Sequence, residues 1–111
     1  MTGGIRAIAQ LPVRPGHEDE FAERFSAAGV LEKAIETAGM REAVLLRPQE
    51  GSTFVVVSTW DSPEAYAAWG QSSVAERLRT TFESLMAGEA TTATYVVSDA
   101  VAKPIGVKAS T

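Results

Sequence analysis

Trp60, Tyr66 and Trp69 crowd into one short segment that follows the apolar run Phe54-Val55-Val56-Val57. Strand alternation points Phe54, Val56, Ser58 and Trp60 to one side. Helical spacing puts Tyr66 and Trp69, three residues apart, on one face. Further along, Ala75, Arg79, Phe82 and Met86 recur as a helical stripe that sets one guanidinium in an otherwise apolar row. Such a set offers enclosure of a flat organic molecule, with a cation and a phenolic hydroxyl at hand. Each residue also has a structural reading: Trp60 and Trp69 as core rings, Tyr66 as a buried hydroxyl in need of a partner, and Arg79 as a side chain snorkelling along a helix edge to water.

Other chemistry is poorly supplied. The chain has no cysteine, so thiolate metal sites, disulfides and cysteine nucleophiles are excluded. The sole histidine, His17, stands at a helix start beside Glu18 and Asp19, where a solvated role is expected, and no set of His and carboxylate residues has metal-ligand spacing. No glycine-rich phosphate loop follows a strand, and no serine sits in a nucleophile elbow. No cofactor and no metal are therefore expected. A net charge of −4 with scattered Lys and Arg argues against nucleic acid as a partner. The amino terminus lacks a signal-peptide profile and no apolar run reaches membrane-spanning length, so a soluble cytoplasmic protein is expected.

The elements that must position these residues can be read from pattern. With 111 residues and 45% hydrophobic content, one compact domain over residues 1–98 is expected, with 99–111, including Pro104 and Gly106, as an extended tail, either frayed or draped over a partner subunit. Residues 5–13 read as a strand ended by Pro15-Gly16. From 17 to 38, Phe21, Phe25, Ala28, Leu31, Ile35 and Ala38 recur at steps of three and four, which predicts one long amphipathic helix capped by Gly39. Gly29 inside it costs roughly 1 kcal/mol relative to Ala and predicts a kink or a close backbone approach.

Residues 42–47 and 53–60 then read as an antiparallel pair joined by a turn at 48–52. Ser62-Pro63-Glu64 carries an N-cap, a first-turn proline and an acid for the helix dipole, so a helix starts there and ends near Gly70. Ser72 or Ser73 opens another helix, with Val74, Leu78, Phe82 and Leu85 on one face and Gly88 as terminator; residues 90–98 form the last strand. The order βαββαβ predicts an α+β fold, the ferredoxin-like arrangement with helices on one face of an antiparallel sheet. Val55 and Val57 make the opposite face of the third strand apolar as well, and a homodimer packed sheet against sheet is the expected cover.

The strand, Pro-Gly and Glu-rich helix, followed by Phe54-Val55-Val56-Val57-Ser58-Thr59-Trp60-Asp61-Ser62-Pro63-Glu64-Ala65-Tyr66, resemble the antibiotic biosynthesis monooxygenase family of dimeric α/β barrels, from about Ile5 to Val97. One branch of that family oxidises polycyclic phenols such as anthrones to quinones with dioxygen and without metal or flavin. The resemblance matches Trp60, Tyr66 and, across a gap, Arg79 to that branch's site. Its asparagine, four residues before the tryptophan, falls on Val56, where an amide is lost. The haem-degrading branch places a histidine ten residues after the tryptophan that corresponds to Trp69; Arg79 stands there, and the chain contains no asparagine. Haem degradation is therefore disfavoured.

The resemblance implies a cofactor-independent monooxygenase acting on a planar aromatic or phenolic compound of polyketide or quinol type. Arg79 would stabilise the substrate anion or a peroxide, Tyr66 would position the substrate or relay a proton, and Trp60 with Trp69 would wall the ring system. Val56, Phe54, Phe82 and Met86 complete the expected substrate-binding set. Two alternatives stand beside it: a non-catalytic small-molecule-binding or accessory protein of the same fold, and an isomerase or cyclase built on it.

Overall fold

The computed structural model describes residues 4–103. Strands β1 (Ile5–Pro12), β2 (Met40–Leu46), β3 (Thr53–Trp60) and β4 (Thr91–Tyr95) form one antiparallel sheet in the order β2-β3-β1-β4. This is the ferredoxin-like topology expected from the sequence. The β-branched and aromatic run of β3 gives it the central position, and it pairs with β1 over its whole length, from Ile5 opposite Trp60 to Pro12 opposite Thr53. A bulge between Met40 and Glu42 starts β2. It leaves Arg41 unpaired in the ladder and lets Met40 and Ala43, an odd number of residues apart, both face the helices.

The single helix expected over residues 17–38 is two. Helix α1 (Glu18–Ala27) and helix α2 (Val30–Ile35) are separated at Gly29, which adopts φ 65° and ψ 40°. A left-handed residue cannot continue a right-handed helix, so the kink becomes a break. Lys33 bends back to donate from Nζ to the Ala28 carbonyl at 2.5 Å. The turn re-aims the chain: Val30 and Leu31 at the start of α2 still pack against the phenylalanine cluster of α1, while Ala34 reaches the second cluster. Gly39, as expected, takes the left-handed conformation beyond the second helix, with φ 92°.

Helix α3 (Pro63–Gly70) is capped by the Ser62 hydroxyl, which accepts from Ala65 N–H, and helix α4 (Ser73–Phe82) is capped in the same way by Ser72 on Ala75. A 3₁₀ turn, Glu83–Leu85, follows α4 and ends it earlier than Gly88. Backbone bonds from Arg14 N–H to the Leu85 carbonyl and from Ala87 N–H to the Pro12 carbonyl tie this turn to the end of β1. Strand β4 is shorter than the expected 90–98, because Tyr95 already pairs with Arg6 near the start of β1, and little partner strand remains beyond it. Of the expected tail, residues 104–111 lie outside the described residues. Among the described residues, no helix is long and apolar enough to cross a membrane.

The helical side of the sheet holds two cores. Phe21, Phe25, Phe54 and Phe82 form the centre of the first with Val13 and Leu85; Ile5, Ala7, Ala34, Met40 and Trp60 form the second. All four phenylalanines of the chain thus converge. Phe21 is the hub, with ring centroids 4.7 Å from Phe54, 5.3 Å from Phe82 and 5.7 Å from Phe25.

Two stability predictions follow from local geometry. A methyl group at Gly39 would stand 2.5 Å from Ala65 Cβ, whereas one at Gly51, also at positive φ, would meet nothing within 4 Å. Urea denaturation should therefore show Gly39→Ala losing about 3 kcal/mol and Gly51→Ala about 1 kcal/mol. The Glu18 carboxyl is held below the ordinary glutamate range, chiefly by the Ser52 hydroxyl at 2.6 Å, then by its own backbone N–H and that of Gly16, with Arg47 adding. A depressed native pKa contributes stability above the ordinary glutamate value, and that contribution is lost as pH falls through the native value. Ser52→Ala should move the Glu18 titration midpoint upward when followed by carbonyl-carbon NMR and weaken the acid-side pH dependence of unfolding.

Candidate functional site

Between the two cores, the space under α3 and α4 is not filled by side chains. A cavity of about 800 Å³ opens there, reaching from the sheet to the surface. Its floor is Ala7, Ala9, Val56 and Ser58; Phe21, Phe25, Phe82, Leu78 and Met86 form the apolar wall, and Tyr66, Trp69 and Arg79 lie on the α3–α4 side. The cause is legible in the strand pairing. Ala7 is opposite Ser58 and Ala9 opposite Val56, so two adjacent rungs of the inward face carry small residues where a closed core would need large ones. The phenylalanine cluster braces α4 at one end and the Trp60–Tyr66 contact braces α3 at the other, so the helices do not settle into the gap.

Six of the eight sequence-derived site residues line this cavity: Tyr66, Arg79, Trp69, Val56, Phe82 and Met86. Phe54 and Trp60 do not. Phe54 is fully buried in the first core, and Trp60 is 1% exposed in the second. Trp60 instead acts on two residues that line the cavity. Its ring meets Tyr66 edge to face at 5.5 Å between centroids, and its Nε1–H donates to Ser58 Oγ at 2.8 Å. Arg79 is exposed at the rim rather than pointing deep into the cavity, and its Nη2 donates to the Gly70 carbonyl at 3.4 Å. That bond spans the α3–α4 junction. The site therefore has a rim cation, a half-buried phenol, an apolar body and a buried hydroxyl on its floor.

His17 lies exposed at the start of α1, 3.2 Å from Glu20, and is not part of the cavity. Among the described residues, no three His, Asp or Glu side chains gather where a metal ion could be held. Ser58, Ala7 and Ala9 are site residues that the sequence reading did not single out. The signal was present: Ser58 shares the inward parity of Phe54, Val56 and Trp60, and two alanines alternate in the first strand.

The family model for antibiotic biosynthesis monooxygenases matches residues 4–87, which contain all of the cavity lining except Gly88, Glu89, Ala90 and Thr92. The chain belongs to the antibiotic biosynthesis monooxygenase family. Among solved structures, it resembles the monooxygenase from the ActVA-Orf6 gene of Streptomyces coelicolor in complex with the ligand Nanaomycin D. The two chains are 24% identical with a TM-score of 0.79, over 92% of this chain and 94% of the other. It also resembles SnoaB, a cofactor-independent oxygenase from Streptomyces nogalater, at 14% identity and a TM-score of 0.75, over 92% of this chain and all of the other. At such identities the likeness speaks to the fold. No curated protein matches the sequence.

The cavity floor is low where the alanines of β1 pair with Ser58 and Val56. Ala9→Phe should fill the floor beside Val56 and weaken binding of any small molecule that occupies the cavity. Calorimetric titration would read the loss, and urea denaturation should show a stability loss no larger than the cost of modest overpacking, about 1–3 kcal/mol.

Proposed function

We propose that this protein binds a planar aromatic or phenolic compound in the cavity and oxidises it with dioxygen, without a bound cofactor. The observation that carries the reading is the cavity itself: about 800 Å³, largely apolar, with the Tyr66 phenol and the Arg79 guanidinium on the same side. An apolar cleft with a few convergent polar groups is the form a small-molecule site takes. Membership of a monooxygenase family and the ligand-bound and cofactor-independent relatives support the reaction class.

In this reaction the substrate supplies the electrons. Loss of a proton from a phenol or an acidic C–H leaves an anion, which passes one electron to dioxygen. The radical pair combines to a peroxide, which collapses to a carbonyl and water, so an anthrone plus O₂ yields a quinone plus H₂O. The chain's part is to orient the ring, exclude water and stabilise negative charge as it forms. Arg79 stabilises the anion or peroxide, Tyr66 hydrogen-bonds the reacting oxygen or relays its proton, and Trp69 flanks the ring. Trp60 holds Tyr66 and the floor of the site from behind. Val56, apolar where the family pattern has an amide, supports the alternative of a protein that binds such compounds without turning them over.

The test is direct. Metal-free protein incubated with anthrone should raise quinone absorbance under oxygen and not under nitrogen, and Arg79→Ala should lower kcat/KM about 100-fold. Binding without any oxygen-dependent rate would overturn the monooxygenase reading in favour of the binding one.

A homodimer is proposed as well. Ile8, Val44, Leu46, Val55 and Val57 make the sheet face away from the helices apolar, with Val44 at 44% and Leu46 at 49% exposed. Val96 and Val97, beyond β4, are exposed too. Burial of this face against a second copy satisfies what a lone sheet leaves in water. Equilibrium sedimentation at micromolar concentration should give a dimer, and Val57→Asp should give a monomer.

A further inference from the structure

Ser58 is the one buried polar residue among the described residues, at 6% exposure, and it forms part of the cavity floor. Its neighbours across the sheet are Ala7 on β1 and Ala43 on β2, so no large side chain on either adjoining strand overhangs its hydroxyl. The Trp60 indole N–H donates to Ser58 Oγ at 2.8 Å, and among the described residues this is the only hydrogen bond the hydroxyl makes. A serine hydroxyl has one proton to donate and two lone pairs to accept with. Trp60 can only donate, so it occupies an acceptor position and leaves the serine proton uncommitted. A buried donor without a partner is costly, and here the adjoining space is the cavity.

We infer that Ser58 is the polar contact that reads the ligand: its O–H donates to a ring carbonyl oxygen at the cavity floor, and Trp60 is a positioning residue that fixes the direction of that donor. The inference rests on the aromatic-substrate reading above and narrows it. Leu78, Phe82 and Met86 give the cavity an apolar wall, and its lining also includes the carboxylates of Glu83 and Glu89 besides the Arg79 guanidinium. A ligand that meets Ser58, this wall and Arg79 has a flat hydrocarbon body, a ketone or quinone oxygen on the inner side, and an acidic hydroxyl or other anionic group placed at Arg79 and away from Glu83 and Glu89. The neutral serine donor favours a carbonyl over a group that can itself only donate, because two donors facing each other leave both unpaired.

Two probes with the same tricyclic skeleton and the same anion separate this role from others: anthraquinone-2-sulfonate, which carries ring carbonyls, and anthracene-2-sulfonate, which lacks them. Isothermal titration should show the wild type binding the quinone about tenfold more tightly. Ser58→Ala should erase that preference while leaving the affinity for anthracene-2-sulfonate unchanged, and Ser58→Thr should retain the preference. Because Ser58→Ala leaves the Trp60 N–H unpaired, Ser58→Ala combined with Trp60→Phe removes both partners and should show the same loss of preference if the single variant does not fold. The carbonyl stretch of the bound quinone should lie at lower frequency in the wild type than in the Ser58 variants without a hydroxyl. Equal binding of both probes by the wild type, or equal weakening of both by Ser58→Ala, overturns the assignment to Ser58 and leaves the aromatic cavity standing. Failure of the wild type to bind either probe overturns the aromatic-substrate reading and this inference with it.

Discussion

Phe21 holds this molecule together. Its ring is in contact range of Phe25 on the same helix, Phe54 on the central strand and Phe82 at the end of α4, and each such pair contributes about 0.5–1.5 kcal/mol beyond the area it buries. The cluster fixes α1 on the sheet and, through Phe82, sets the height at which α4 crosses it. With the 3₁₀ turn after α4 tied by backbone bonds to the end of β1, that height cannot relax. A second, smaller core around Trp60 fixes α2 and α3 at the other end of the sheet.

The cavity is the space these two supports leave between them. Well-packed interiors tolerate few voids, and an apolar gap of this size is retained only if the chain gains something from it or cannot close it. Here the helices are pinned at both ends and the floor is paved with Ala7, Ala9 and Ser58, so collapse would require breaking one of the cores. The same arrangement explains Trp60. Buried in the second core, it is not part of the cavity lining, yet it contacts Tyr66 and Ser58, two polar residues that are. A core residue and a site residue are coupled through one indole ring.

Much of this organisation was legible in one dimension. The βαββαβ order, the serine caps at Ser62 and Ser72, the central strand and the left-handed Gly39 follow from local signals that operate within a few residues. So does the inward set of Phe54, Val56, Ser58 and Trp60, because alternation in a strand is a local rule. The readings that needed revision were those in which local and distant preferences compete. Periodicity alone favours one helix across Gly29, but α2 has to pack Val30 and Leu31 on the phenylalanine cluster and Ala34 on the second core, and glycine is where the chain can bend to do so. Phe54 and Trp60, taken as pocket-lining by parity, do face the helices, but parity names a side of the sheet and not whether that side is filled.

By itself, the sequence determined which residue types face which side, where the helices begin, and the family to which the chain resembles and belongs; these are properties of short segments and of their order. Only the tertiary structure decided that Arg79 stands at a rim, that Trp60 contacts Ser58 and Tyr66 from outside the cavity, and that small residues on β1 and β3 coincide to leave a cavity. The physical reason is that a void is defined by what several distant segments fail to occupy together. No single segment encodes that absence.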